Sequence, residues 1–271
     1  MNKDTVEGAM SRLANTMRIY VEAFLRYKGL VAIDREEAIN NIDRAWESKL
    51  EAFHTLYDVT QEELDYFDRP DSALLIFLRN ALHHRNHSLF QSLNSTLWLC
   101  DEPERLAGAA YLLANHPPKG GGPSRMHHFI KLEDIYSRLD PRRSASELDR
   151  SKKVQSKFRF IEEGLSFEKV WAQAGAERYP NHQVYLDLMP IFISAVSNTL
   201  IRLKALDYSF KGYDAGTYES CFTEELGTDL SNPKFRGLRM NGLQYLMGPS
   251  HTINEAAVPY NDKGEMTYAG F

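Results

Sequence analysis

Arginine, asparagine and histidine are concentrated in one short stretch of the chain, Arg79–His87. Its nine residues include two Arg, two Asn and three His, and they follow the apolar run Leu74–Leu78. His and Asn are poorer helix formers than Ala by up to about 0.7 kcal/mol per residue, so a solvated helical face is usually built from Glu, Lys and Ala instead. The composition of this stretch therefore indicates chemistry or a specific interface.

The residue types in this stretch suit acid–base chemistry on a phosphate ester. A His side chain titrates near about pH 6.5, so it can take and return protons at neutral pH. Arg presents a planar, permanently charged fork that fits phosphate oxygens and can stabilise the extra charge of a phosphorane. Asn can orient either the imidazole ring or the attacking hydroxyl. Together these groups are the minimal parts of a metal-independent ribonuclease, in which the RNA 2′-hydroxyl attacks its own phosphodiester.

One ordered spacing, Arg-Asn-x-x-x-His, occurs at Arg79, Asn80 and His84. It resembles the Arg-(polar)-x-x-x-His signature of HEPN domains, all-helical bundles that include many ribonucleases of toxin–antitoxin, CRISPR and phage-defence systems. The resemblance implies that Arg79 and His84 are the catalytic pair, that Asn80 supports the active site, and that two protomers form one composite cleft. It implies an endoribonuclease toxin or defence effector that leaves 2′,3′-cyclic phosphate ends, with an antitoxin or a defence-system protein as a further partner.

Other polar residues are secondary candidates for contact with RNA. His83 and His87 lie in the same stretch and could share the cleft, and Arg85 could bind the RNA backbone. Near the C-terminus, the segment Lys234–Arg239 interleaves cations with Phe235, a pattern that suits backbone contact combined with base stacking. Its three cations, Lys234, Arg236 and Arg239, are predicted to bind RNA, and a solvated turn is the alternative interpretation of the segment.

Three other interpretations of the polar stretch stay open. It could be a solvated helical face, or the face with which a non-catalytic helical protein binds a partner or a nucleotide. The third is a transition-metal site, because His83 and His87 are four residues apart and His84 and His87 are three apart. No carboxylate accompanies them, so His116 or the pair His127–His128 would have to complete the ligand set. We favour the nuclease and expect neither metal nor cofactor.

The polar stretch is expected on the third of five helices. This helix should start after Pro70, with Asp71 or Ser72 as its cap, and end near Asn94. Its polar groups fall opposite a narrow arc that must face the core. That arc carries four leucines: Leu75, Leu78, Leu82 and Leu89.

The other four helices follow from apolar residues spaced three and four apart. Gly29 should end the first helix, Asp34 should cap the second in an imitation of a capping box with Glu37, and Pro190 should kink the last. The predicted ranges are Thr5–Lys28, Asp34–Leu56, Val154–Ala174 and Gln183–Leu206.

Short strands are predicted between the third helix and the later ones. The runs Ala109–Ala114 and Met126–Leu132 flank a turn-rich loop around Lys119–Gly122, which predicts a small β-hairpin at about residues 108–133. Residues 207–271 have weak periodicity and predict an irregular C-terminal extension. The predicted fold is therefore an all-α bundle over residues 1–206, with one inserted hairpin, followed by that extension.

Composition restricts the class of protein further. The net charge of −5 and the pI near 6.0 argue against a protein that coats nucleic acid through bulk charge, although a local basic site is compatible with them. Cys100 and Cys221 lie far apart, which predicts free thiols. No apolar run reaches the roughly 18 residues of a membrane span, and the N-terminus lacks the apolar core of a signal peptide. We therefore expect a cytoplasmic protein with no membrane contact.

Overall fold

The computed structural model describes residues 2–83, 89–99, 106, 108–119, 126–222 and 226–240. Helices dominate this part of the chain, and four strands interrupt them. The helices are α1 (Lys3–Val31), α2 (Arg35–Thr60), α3 (Pro70–His83), α4 (Leu93–Trp98), α5 (Leu132–Leu139), α6 (Lys152–Gly164), α7 (Phe167–Ala176), α8 (Leu188–Ala205) and α9 (Ala215–Cys221). The strands are β1 (Ala110–Asn115), β2 (Phe129–Lys131), β3 (Val184–Asp187) and β4 (Lys234–Arg239).

The four strands form one mixed sheet with the order β2-β3-β1-β4. β1 and β3 run parallel, whereas β2 pairs antiparallel with β3 and β4 pairs antiparallel with β1. Parallel neighbours need a long crossover, and the chain between β1 and β3 indeed includes α5, α6 and α7. Because β1 and β3 are parallel, their last residues, Asn115 and Asp187, come to the same edge of the sheet.

Alternate side chains of the sheet enter two different cores. One face packs on the main core, which also receives the apolar residues of α1, α2, α3 and α8; its strand residues include Leu112, Ala114, Ile130, Val184 and Leu186. The other face packs on a smaller core closed by α4; its members include Tyr111, Leu113, Phe129, Tyr185, Leu93 and Leu97. Burial on both faces explains why β1 and β3 are continuous apolar runs rather than alternating ones.

The predicted all-α fold with an inserted hairpin is wrong, because the chain combines its helices with a mixed sheet and is α/β. β3 lies between β1 and β2, so these two strands form no hairpin. The irregular extension also needs correction, since α9 and β4 lie within it and β4 pairs with β1 from Lys234 to Arg239. The all-helical architecture implied by the HEPN resemblance is therefore not the architecture of this chain.

Local signals decide where the second and third helices begin. Asp34 caps α2 as predicted, because its side chain accepts a hydrogen bond from the backbone N–H of Glu37 at 2.9 Å. α3 begins at Pro70, whose fixed φ and missing N–H suit the first helical position. The prediction that Asp71 or Ser72 caps this helix is wrong, because both residues lie inside it. The prediction that this helix reaches Asn94 is wrong: Phe90 has a left-handed φ of 67°, and Ser92 caps the separate helix α4.

Three further predictions about helix boundaries are wrong. Gly29 lies inside α1 instead of ending it. The predicted helix Val154–Ala174 is divided into α6 and α7 at Ser166, which has a φ of 54°. The last helix starts at Leu188, because the apolar run before it is β3. Pro190 therefore lies in the first turn of α8, where a helix tolerates proline without a kink.

Among the described residues, α8 is the one helix long and apolar enough to cross a membrane. Most of α8 is buried inside the protein, and its apolar side chains belong to the main core. This is the pattern of the core helix of a soluble protein.

Candidate active site

Arg79 lies near the C-terminal end of α3 and is hydrogen-bonded to Glu51 of α2. Its Nε and Nη2 atoms donate to the two carboxylate oxygens of Glu51 at 2.7 and 2.8 Å, the bidentate geometry that suits a guanidinium and a carboxylate. Hydrogen bonding from Arg79 lowers the pKa of Glu51, and hydrogen bonding to Glu51 raises the pKa of Arg79. Both groups are therefore charged at neutral pH, and the guanidinium has a defined orientation.

Asn80 contacts the same guanidinium. The Nη1 atom of Arg79 donates to Oδ1 of Asn80 at 3.3 Å, and both side chains are partly buried. Nη1 has two N–H groups, of which this bond uses one. Two of the three motif residues predicted from the sequence thus touch each other, and Glu51, which the sequence did not mark, orients them from a second helix.

A groove of about 560 Å³ opens beside Arg79, between α1, α2 and α3. Among the described residues that line it are three arginines, Arg12, Arg44 and Arg79, and the two carboxylates of Glu47 and Glu51. Three positive groups against two negative ones make the groove locally basic, although the whole chain carries a net charge of −5. The remaining lining residues are Thr16, Ile19, Ser48, Leu50, Leu82 and His83.

The predicted histidines are only partly placed. His83 is exposed and lines the groove with Arg79. His84, Arg85 and His87 lie outside the described residues, so the catalytic pair of Arg79 with His84 stays a prediction. The described part of α3 corrects the prediction of a polar face opposite an apolar arc. Residues 71–78 are buried all around the helix, and the polar face begins only at Arg79.

The three predicted RNA-binding cations near the C-terminus lie on β4, not on a turn. Strand geometry places Lys234 and Arg236 on one face of the sheet and Arg239 on the other. Arg239 is exposed, whereas Lys234 and Arg236 are partly buried. Phe235 packs against the main core. The aromatic ring is therefore engaged in packing, and the three cations do not form a single basic face.

Only some of the histidines that a metal site would require lie within the described residues, among them His116, His127 and His128. Within the part of the chain that the structure describes, no three His, Cys, Asp or Glu side chains come together in a way that could hold a metal ion. His116, which is buried, instead has its Nε2 atom 3.0 Å from the carbonyl oxygen of Leu165. His127 is hydrogen-bonded to Asp187.

A buried polar network occupies the edge of the sheet where β1 and β3 end. The Asp187 carboxylate accepts hydrogen bonds from Asn115 Nδ2, from His127 Nδ1 at 2.6 Å, and from the backbone N–H groups of His128 and Met189 at 3.0 Å each. The last of these bonds caps α8. The residues of this network have no characteristic spacing in the sequence. The sequence feature that could have indicated the network is that Asn115 and Asp187 each directly follow a short apolar run.

A second cavity, of about 440 Å³, adjoins the groove. The two spaces share the wall formed by Arg44, Glu47, Leu50 and Leu82. His128 lines the second cavity, and its ring stacks on Trp46 with 4.4 Å between ring centroids. Burial, and then the nearby charge of Lys49, hold the pKa of His128 well below its ordinary value. His128 therefore presents a neutral imidazole at neutral pH.

Comparison with known proteins adds no relative. No protein-family model matches the chain, and no significant match is found among curated proteins or among solved structures.

Proposed function

We propose that the protein is a metal-independent endoribonuclease that cleaves RNA at the groove beside Arg79. The observation that carries the proposal is the clamped guanidinium of Arg79, which Glu51 and Asn80 hold in one orientation at the wall of a basic groove. A cation that is oriented before the substrate arrives stabilises developing negative charge without a reorganisation cost. A guanidinium is also the side chain best matched to phosphate oxygens.

Each motif residue has one role in this proposal. His84 takes the proton from the RNA 2′-hydroxyl or gives one to the leaving oxygen, Arg79 stabilises the charge of the phosphorane, and Asn80 positions Arg79 and the reacting groups. His83 and His87 are secondary candidates for the second proton transfer. The products carry 2′,3′-cyclic phosphate ends, and the reaction needs neither metal nor cofactor.

The surroundings of the groove supply the contacts to substrate. Arg12 and Arg44 line it and would bind phosphates on either side of the cleaved bond. Arg85 and the cations of β4 are further proposed contacts to the RNA backbone. The protein would act in the cytoplasm as a homodimer, in which Arg79 of one protomer and His84 of the other share a cleft, and as a toxin or phage-defence effector.

The test is cleavage of RNA by purified Arg79→Ala and His84→Ala variants, with the new ends mapped. His84→Ala should lose about 10²–10⁴-fold in rate, the usual contribution of a positioned acid or base. Arg79→Ala should lose about 10²–10³-fold, the usual cost of removing one donor to developing negative charge. The chelator EDTA should not inhibit the wild type. Arg159→Ala is the matched control, because Arg159 also donates through Nε to a glutamate at 2.7 Å but is exposed on α6. Unchanged cleavage in both motif variants would contradict the proposal.

One observation favours the alternative, a non-catalytic protein that binds a partner or a nucleotide with the same face. Glu51 already occupies Nε and Nη2 of Arg79, the edge that a phosphate would take in bidentate fashion. RNA or nucleotide that binds without being cleaved, with the binding lost in Arg79→Ala, would establish this alternative.

A further inference from the structure

A histidine–carboxylate pair on α2 lies next to the clamped Arg79 and has no role in the cleavage proposed above. Nδ1 of His54 is 3.1 Å from Oδ2 of Asp58, about one helical turn further along. A carboxylate can only accept a hydrogen bond, so Nδ1 donates, and the lone pair of the neutral ring is on Nε2. Among the described residues, Nε2 has no hydrogen-bond partner. A carboxylate that holds Nδ1 in this way orients a histidine for work as a base through Nε2.

The pair continues the face of α2 that forms the groove. Glu47 and Glu51 line the groove, and His54 and Asp58 follow Glu51 at spacings of three and four residues. Residues at these spacings are neighbours on one helix face, with Cβ atoms about 5–6 Å apart. His54 therefore lies about one turn beyond Glu51, the residue that orients Arg79.

Electrostatic interactions join the pair to the guanidinium. The charged groups that act on His54 are Asp58 and Glu51 of α2 and Arg79 of α3, and Asp58 in turn acts on Arg79. Burial lowers the pKa of His54; Asp58 partly opposes this effect, and the charge of Arg79 adds to it. The imidazole is therefore mainly neutral at pH 7, the state that a base requires. The side chain of His54 is 12% exposed, so its ring is not sealed from solvent.

We propose that His54 is the general base of the cleavage and that Asp58 positions it. This assignment rests on the proposed function and divides its two proton transfers between two histidines. The proton of the RNA 2′-hydroxyl passes to Nε2 of His54 while the 2′-oxygen bonds to phosphorus. The bond from phosphorus to the 5′-oxygen breaks, and that oxygen takes a proton from protonated His84. Asp58 stabilises the imidazolium of His54 as it forms, and no further reactant is needed.

The first experiment is the pH profile of RNA cleavage by the purified full-length chain. The wild-type rate should fall below about pH 6.5, where His54 takes up a proton. His54→Ala should lose about 10²–10⁴-fold in kcat with KM changed less than about threefold, and the fall at low pH should disappear. His54→Gln, which retains a polar side chain but cannot titrate, should behave in the same way. His182→Ala, at an exposed site, is the control and should keep the wild-type rate and profile.

A modified substrate distinguishes a base from an acid. Where sulfur replaces the 5′-bridging oxygen at the cleaved bond, the leaving thiolate needs no proton from the protein, because thiols are far more acidic than alcohols. This substrate should bring His84→Ala to within about tenfold of the wild-type rate, since only the acid is missing there. It should leave His54→Ala as slow as before. Rescue of His54→Ala would overturn the assignment of His54 as the base.

The outcomes separate this assignment from the nuclease itself. If Arg79→Ala and His84→Ala lose cleavage while both His54 variants keep the wild-type rate, His54 is not the base and the nuclease stands. The same conclusion follows if the His54 variants are slower but their rate still falls at low pH, because a merely structural role leaves the titrating group in place. If Arg79→Ala and His84→Ala cleave RNA like the wild type, the nuclease fails and the assignment fails with it.

Discussion

His127 and Asp187 form a fully buried pair, with Nδ1 of the imidazole 2.6 Å from Oδ2 of the carboxylate. A carboxylate can only accept, so Nδ1 carries the proton in this bond. The same carboxylate also holds Asn115 and the start of α8. Asp187 thereby joins the ends of two parallel strands to the first turn of a core helix.

Replacement of Asp187 by Ala should be strongly destabilising. The change would leave the ring N–H of His127 and the backbone N–H groups of His128 and Met189 buried without an acceptor, so we expect a loss of roughly 3–5 kcal/mol in the free energy of unfolding. Urea denaturation measures it. Asp214→Ala is the control, because Asp214 pairs with Arg18 at the surface and should cost less than about 1 kcal/mol. Similar losses in the two variants would show that the network contributes little.

Glu51→Ala should lower the rate of RNA cleavage while leaving the stability of the fold nearly unchanged. Glu51 is 45% exposed, so the pair should contribute less than about 1 kcal/mol to folding. Loss of the clamp should nevertheless lower the rate of RNA cleavage about tenfold with little change in KM, because a misoriented guanidinium binds substrate but stabilises the transition state poorly. Glu163→Ala, which breaks the exposed pair with Arg159, should leave the rate unchanged. A faster Glu51→Ala enzyme would mean that Glu51 competes with the phosphate.

Stability should fall as the pH is lowered from about 6.5 to 5, a window set by the ordinary pKa of histidine. Burial lowers the pKa of both His116 and His128. Below pH 6.5 the unfolded chain therefore binds protons that the folded chain does not, and each group removes up to about 1.4 kcal/mol per pH unit until its folded pKa is reached. Urea titrations at pH 7, 6 and 5 test this. His128→Phe should reduce the dependence of the free energy of unfolding on pH, whereas His182→Ala, at an exposed site, should not. A wild-type free energy of unfolding that does not change between pH 7 and 5 would contradict the lowered pKa of these two histidines.

Local signals in the sequence predicted the starts of helices better than the pairing of strands. Asp34 and Pro70 act on their own neighbours, so their effects can be read from a few residues. The run Val184–Asp187 merges with the apolar pattern of α8, and periodicity cannot separate so short a buried strand from a helix. The hairpin prediction failed for this reason. With β3 assigned to a helix, nothing in the sequence indicates a strand between β1 and β2.

The candidate site was predictable only where its residues are close in the chain. Arg79 and Asn80 are adjacent and were marked by their types and spacing. Glu51, which orients Arg79, is on another helix, and nothing in the sequence pairs the two. The sequence offers His128 only as a candidate metal ligand, because its surroundings depend on how α2 and the sheet pack together.

Gly164→Ala should destabilise the protein although alanine favours helices. A Cβ at this last residue of α6 would lie 2.6 Å from Cγ and 2.7 Å from Cβ of Pro70, and the proline ring cannot move aside as a flexible side chain would. Overpacking of this kind costs about 1–3 kcal/mol. Gly8→Ala in α1 is the matched control: a Cβ there meets nothing within 4 Å, so the variant should gain about 0.5–1 kcal/mol. A stabilised Gly164→Ala would show that α6 and α3 can separate.

Lys49→Met should stabilise the protein at neutral pH. Lys49 is 2% exposed, and its Nζ lies 3.7 Å from the ring centroid of Tyr20. Burial lowers its pKa well below the ordinary value, an effect that the charge of Asp187 only partly opposes. Between the lowered pKa and about pH 10.4 the unfolded chain holds the extra proton, so the wild type gains stability as the pH rises. Methionine has a similar shape and no charge to bury, so the free energy of unfolding at pH 7 should rise by about 1–3 kcal/mol, and this advantage should shrink towards pH 10.

The control is Lys153→Met, which removes an ammonium from the ring of Phe67 at an exposed position and should change stability by less than about 0.5 kcal/mol. A marked loss in Lys49→Met at pH 7 would instead mean that the surrounding aromatic rings hold a charged ammonium in the core.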